Sequence, residues 1–164
     1  KTILEEKNNK YIDPQSPPLI IPETDNRFLW LTMKNGHNQI LEYDFNGKLL
    51  NVISDSNLEV KELIGFGKNG QSFFYTASLS SAPTQMHLFK YDFISKTNVK
   101  ISSIEGTHTA YLNNYDNSLI DEYSSYSSPL KYCVFKDNVS VPENIFNWQI
   151  LSMDISFLPL KSLL

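Results

Sequence analysis

Histidines, a cysteine and neighbouring carboxylates are the side chains of this 164-residue chain best suited to chemistry, and each can be weighed by what stands near it. His108, in Gly106-Thr107-His108, has the side chain of a general base. That role needs a nucleophile or an acid in hydrogen-bond reach, and no cysteine or paired acid lies at a recognisable spacing from it. The favoured reading is a structural histidine that bonds to backbone at the entrance to a β-unit. His87 alternates with Phe89, Tyr91 and Phe93, which makes it a satisfied packing histidine between units. His37 sits beside a turn glycine and is expected in solvent. Asp121 and Glu122 are adjacent, so in a strand they point to opposite faces and cannot act as a paired acid and base. Asp121 is expected to accept backbone N–H bonds near a turn. Tyr123, Tyr126 and Tyr132 could form a ligand-stacking surface, but packing between units uses the same residue types and is the preferred reading. Cys133 lies between Tyr132 and Val134 with Lys131 and Lys136 as its nearest bases, the setting of a buried, inert thiol.

The three histidines are far apart and lack an H-x-x-x-H spacing, and one cysteine cannot close an internal disulfide or a cysteine-rich zinc site. The six glycines never frame a serine as G-x-S-x-G. The residues therefore assign no catalytic, substrate-binding or metal-binding position and imply no cofactor. Fourteen basic against eighteen acidic residues give a net charge of -4, and Arg27 is the sole arginine, which argues against nucleic acid as a partner. With 41% hydrophobic and 20% charged residues the composition is that of one globular unit. The most apolar stretch, Ile145 to Leu164, is interrupted by Asp154, Pro159 and Lys161, so no membrane span is expected in this chain. Because the chain starts at Lys1 without an initiator Met, removal of an upstream segment is expected.

The elements that must position these groups read as strands. Residues 1–26 contain Asp13-Pro14, Pro17-Pro18 and Pro22 and are expected to form an extended lead-in. Strands are expected near 28–32, 39–45, 48–53, 60–66, 72–78, 86–93, 98–102, 107–112, 118–124 and 130–136, with a loop at Pro83. Asn35-Gly36 and Asn46-Gly47 are hairpin signals whose positive-φ tolerance suits type I′ turns. Tyr43-Asp44-Phe45 returns as Tyr91-Asp92-Phe93 forty-eight positions later (91 minus 43). Phe28-Leu29-Trp30 is echoed by Phe73-Phe74-Tyr75 forty-five later (73 minus 28). A period of about 45 residues with about four strands is that of long propeller blades. The predicted fold is all-β, an incomplete β-propeller of about two to three four-stranded antiparallel blades over 27–136, followed by an apolar segment, 137–164.

Phe28-Leu29-Trp30-Leu31-Thr32, Gly36-His37-Asn38-Gln39-Ile40 leading to Tyr43-Asp44, and Gly47-Lys48-Leu49 open a longer pattern. It continues through Glu59-Val60, Phe74-Tyr75-Thr76, His87-Leu88-Phe89, Glu105-Gly106-Thr107-His108 and Ile120-Asp121-Glu122-Tyr123-Ser124-Ser125. In this order they resemble the dipeptidyl peptidase IV family of serine peptidases, in the prolyl oligopeptidase group, from about Thr2 to Pro129 and within its N-terminal propeller. The chain departs from the family at Gln39, usually His, at Leu58, usually Trp, and at Met86, often Arg. The resemblance implies a parent that releases N-terminal dipeptides, favouring Pro or Ala second, with its Ser, Asp and His triad in a C-terminal α/β-hydrolase domain. Family propellers hold the substrate amine with a paired Glu motif. Glu5-Glu6 matches a later stretch of the family instead, so no functional residue is carried over.

The expected role is a partial propeller that is non-catalytic by itself and shapes access to a site carried elsewhere. The implied partners are a peptide substrate of the full-length parent, further blades or a C-terminal hydrolase domain, and other copies of the chain. A periplasmic, membrane-anchored or secreted setting comes from the resemblance alone. The rival is a non-enzymatic module that recruits a partner through its strand edges; an autonomous hydrolase is the third class. Residues 145–164 are expected to fold back over the last blade or to mediate self-association.

Overall fold

Period-two alternation and tight turns shape this chain into sheets of hairpins. The computed structural model describes residues 2–7, 16–24, 26–34, 36–136 and 143–146. Strands β1 (Leu19–Ile20), β2 (Arg27–Lys34), β3 (His37–Asp44) and β4 (Leu49–Val52) form an antiparallel sheet in chain order. Strands β5 (Leu58–Phe66), β6 (Ser72–Leu79), β7 (Ala82–Asp92) and β8 (Thr97–Lys100) repeat that arrangement. So do β9 (Thr107–Leu112), β10 (Leu119–Ser125), β11 (Ser128–Phe135) and β12 (Glu143–Phe146). The second and third sets join into one mixed eight-stranded sheet through a parallel bridge between Met86 and Thr107. The chain is all-β, a fragment of a propeller-like domain.

The ten expected strands are present, and β1 and β12 are additions to them. Both are edge strands without an alternation of their own: Leu19-Ile20 sits between prolines and pairs with Leu29 and Phe28. β12 pairs with β11 beyond the residue-136 limit expected for the last strand. Residues 147–164, for which back-folding or self-association was expected, lie outside the described residues.

Two turns differ from expectation. Gly47 has φ +83°, but Asn46 is not left-handed, so Asn46-Gly47 is not a type I′ turn. Gly47 N–H donates to the Asp44 carbonyl and Asp44 N–H to the Lys48 carbonyl, which makes a three-residue loop ending in a left-handed glycine. Pro83, expected in a loop, lies inside β7. Its missing N–H is tolerated because the β6–β7 ladder is irregular there: Ala77 pairs with His87, yet Leu79 pairs with Ala82. That irregularity also accounts for the two repeat lengths. β7 has 11 residues where β3 has 8, so positions before the hairpin repeat at 45 and positions after it at 48.

The backbone obeys the same repeat. Ile53 N–H bonds the Ile40 carbonyl, and forty-eight residues on Ile101 bonds Leu88. Phe45 bonds Asn26 as Phe93 bonds Gln71, and Gly67 bonds Ser72 as Asn113 bonds Ser118. Apolar faces fill the spaces between units. Leu29, Leu31, Ile40 and Ile53 pack with Val60, Phe73, Tyr75 and Phe89 between the first and second. Phe74 and Leu88 pack with Ala110 and Leu119 between the second and third.

Candidate functional site

The densest polar cluster lies where the second unit meets the third. In the β9–β10 hairpin His108 is opposite Tyr123 and Ala110 is opposite Asp121, so Asp121 is the diagonal neighbour of His108 on one face. Both side chains are almost fully buried, at 1% and 3% exposure. His108 Nδ1 lies 2.9 Å from Asp121 Oδ2, and its Nε2 lies 2.9 Å from the Ile104 carbonyl oxygen. The Ile104 carbonyl can only accept, so Nε2 carries a proton, and a carboxylate at Asp121 accepts from Nδ1, so both contacts favour the imidazolium form. Burial works against that charge, but the bonds from Asp121 and Ile104 outweigh it and raise the His108 pKa above its ordinary value.

His87 is held in the opposite state. Leu88 N–H donates to Ser102 Oγ, which leaves the Ser102 hydroxyl proton for His87 Nδ1, 3.0 Å away. His87 Nε2 lies 3.0 Å from Gln85 Oε1 and donates to it. One ring proton satisfies both contacts, and burial, then Lys100 and His108, push the His87 pKa down. The two imidazoles stack with centroids 5.6 Å apart, and Tyr123 continues the stack 5.2 Å beyond His108. The Tyr123 hydroxyl bonds the Cys133 thiol; burial raises both groups, which leaves the thiol protonated and un-nucleophilic.

The structure brings His108 and Asp121 together, a pairing not expected from their spacing. Asp121 accepts a hydrogen bond from the imidazole Nδ1–H instead of the backbone N–H groups expected for it. The His–carboxylate half of a nucleophilic relay is therefore present, but a relay needs Nε2 to face a hydroxyl or thiol, and here it faces a carbonyl. His87 is satisfied, as its alternation implied. His37 is half-buried with its Nε2 3.2 Å from Gln39 Nε2, so it is not simply in solvent. Of the tyrosines, Tyr123 packs, Tyr132 is half-buried, and Tyr126 is fully exposed, which corrects the packing role expected for it. Among the described residues no three His, Cys, Asp or Glu side chains group together to hold a metal.

Other polar groups work as ties. The sole arginine, Arg27, bonds the buried Glu42 at 2.8 Å, and Asn51 donates to the other carboxylate oxygen. Glu6 accepts from Trp30 Nε1 at 3.0 Å and from the Thr32 hydroxyl, which pins residues 2–7 along the outer face of β2. Beside that contact lies an apolar cavity of about 420 Å³ lined by Ile3, Leu4, Ile20, Phe28, Trp30 and Phe45 among others.

A family model for the dipeptidyl peptidase IV (DPP IV) N-terminal region matches residues 1–130. The chain belongs to this family. Among solved structures it is similar to the dipeptidyl peptidase 4 of Porphyromonas gingivalis, at 25% identity and a TM-score of 0.69 over 87% of this chain. It is also similar to a putative dipeptidyl aminopeptidase IV of Bacteroides ovatus, at 18% identity and a TM-score of 0.71 over 85% of this chain. A putative TolB of Agrobacterium tumefaciens shares the fold at 14% identity and a TM-score of 0.57, matching 74% of this chain and 43% of the TolB. The chain spans 20% and 22% of the two dipeptidyl peptidase structures. It is thus part of a DPP IV N-terminal β-propeller region. Within the described residues no helix is long and apolar enough to cross a membrane.

Proposed function

We propose that the chain supplies three consecutive four-stranded blades, from β1 at Leu19–Ile20 to β12 at Glu143–Phe146, to the propeller of a DPP IV-like serine peptidase, with the residues before β1 as lead-in. These blades form a non-catalytic wall that shapes the path of a peptide to a nucleophile carried elsewhere in the parent. The family match supports the parent, and one observation carries the non-catalytic role: both nitrogens of His108, the histidine paired with a carboxylate, are occupied by Asp121 and a backbone carbonyl. His108 therefore has no basic nitrogen left to activate a serine, and the Ser102 hydroxyl that bonds His87 Nδ1 is buried with it, away from any peptide. The purified chain is expected to release no product from a Gly-Pro or Ala-Pro chromogenic dipeptide. Turnover that survives purification to homogeneity and is lost in His108→Ala would overturn this reading.

A second reading, an edge-binding or assembly module, is favoured by one feature. Outer strand β4 exposes Leu49, Leu50 and Val52 in a row. Light scattering across a concentration series separates the two: a mass that rises with concentration and falls back in Val52→Lys favours assembly, and a constant monomer favours the wall.

A further inference from the structure

The joint between the second and third units differs in kind from the joint between the first and second, although the backbone repeats. Ser54 and Ser102 are equivalent (102 minus 54 is 48), and each accepts a backbone N–H, from Ile40 and from Leu88. Gln39 and His87 are equivalent in the same way, and each bonds the side chain two residues before it, His37 or Gln85. The first unit thus has glutamine where the second has histidine. Beside His87 lies His108, which has no counterpart next to Gln39: position 108 is on the strand that the Met86–Thr107 bridge brings against β7.

From this geometry we infer that the joint between the second and third units is acid-sensitive: protonating His87 sets a second positive charge against the His108 imidazole and weakens the seam, a pairing of stacked rings that Gln39 cannot form in the first joint. A proton added at His87 Nδ1 would turn the Ser102 hydroxyl from donor to acceptor, so that Oγ accepts from both His87 and Leu88 and its own proton must rotate away from the ring. The charged and titratable groups facing His87 are Lys100 from β8, Glu105 from the β8–β9 connection, His108 from β9 and Asp121 from β10. Tyr123 from β10 and Cys133 from β11 extend the cluster behind His108. Asp121 is already engaged by His108, and Glu105 is exposed, so neither offers the new cation a buried counter-ion. The two imidazoles contribute with opposite signs, and the loss on acidification comes from His87. His87, held low, contributes stability that is present above the ordinary imidazole value near 6.5 and lost as pH falls towards its folded value. His108, held high, contributes stability that is present below that value and lost as pH rises through its own.

Hydrogen exchange of the whole chain between pH 7.5 and 5, corrected for intrinsic rates, tests the inference together with His87→Gln, a substitution for which Gln39 is the internal precedent. In the unaltered chain the amides of Met86 and of β9 should lose protection relative to those of β2 and β3 as pH falls, because protonation of His87 favours opening of that joint. In His87→Gln that relative loss should vanish. Equal loss in both proteins, or equal loss in both joints, would overturn the inference. Should the variant fail to fold, proton NMR titration of the two imidazoles in the unaltered chain decides. His87 titrating below 6.5 and His108 above it supports the joint as described, and the reverse order contradicts it.

Discussion

At the scale of single residues, buried charge here is paired charge. Glu42 is almost fully buried and engages both the arginine and an asparagine, so Glu42→Gln should cost about 2 kcal/mol in urea unfolding by removing the counter-charge of Arg27 and turning an amide NH2 towards one of the two donors. Asp121→Asn should cost more, about 3 kcal/mol at pH 6, because it strands a buried imidazolium. The loss should shrink as pH rises through the His108 titration, since the cation that needs Asp121 is then gone. An equal loss at pH 6 and pH 9 would mean that His108 is neutral throughout. Little of this cluster was legible beforehand. Thirteen positions separate His108 from Asp121, and they meet because the hairpin register sets 110 opposite 121, which the turn around Asp116-Asn117 decides. The alternation around His87 did convey that it packs, because period two is a local property.

At the scale of elements, the hairpins were readable and their turn geometry was not. Tyr43-Asp44-Phe45 and Tyr91-Asp92-Phe93 proved equivalent in role. Asp44 and Asp92 each take two backbone N–H groups of the following turn, which lowers both carboxyl pKa values, and Phe45 and Phe93 pack on neighbouring rings. Those backbone bonds favour the type I turn with its left-handed glycine over type I′, a preference invisible in the Asn-Gly pair alone. Gly106 has φ +150°, and a Cβ there would stand 2.3 Å from the Ser124 carbonyl oxygen. Its own carbonyl receives Met86 N–H, so Gly106→Ala should cost roughly 2 kcal/mol or more and free the Met86 amide to exchange. Gly47→Ala should act on the other side of the molecule: its Cβ would meet the Ile3 carbonyl at 2.3 Å. Residues 2–7 would have to move, and the indole N–H signal of Trp30, bonded to Glu6, should shift in NMR spectra. An unchanged indole signal would show that the turn yields instead.

At the scale of the whole molecule, the repeat carries the fold and the irregularities carry what is particular to this chain. The 45- and 48-residue spacings marked the units because each repeats the same backbone bonds. The three-residue lengthening of β7 was hidden in the irregular pairing of the β6–β7 hairpin, and the Met86–Thr107 bridge because it depends on a contact between units. Each sheet turns one face to its neighbour, and the outward faces end differently. Residues 2–7 lie across the first, while Tyr111 and Ile120 stay exposed on the last. The central claim is that the polar cluster within these blades serves the seams between them and contains no activated nucleophile. Labelling the folded chain with a serine-reactive fluorophosphonate, followed by mass spectrometry, tests it most directly. The account predicts no adduct on any serine above the level found in the heat-denatured chain, and a stoichiometric adduct on one serine, abolished by prior unfolding, would contradict it.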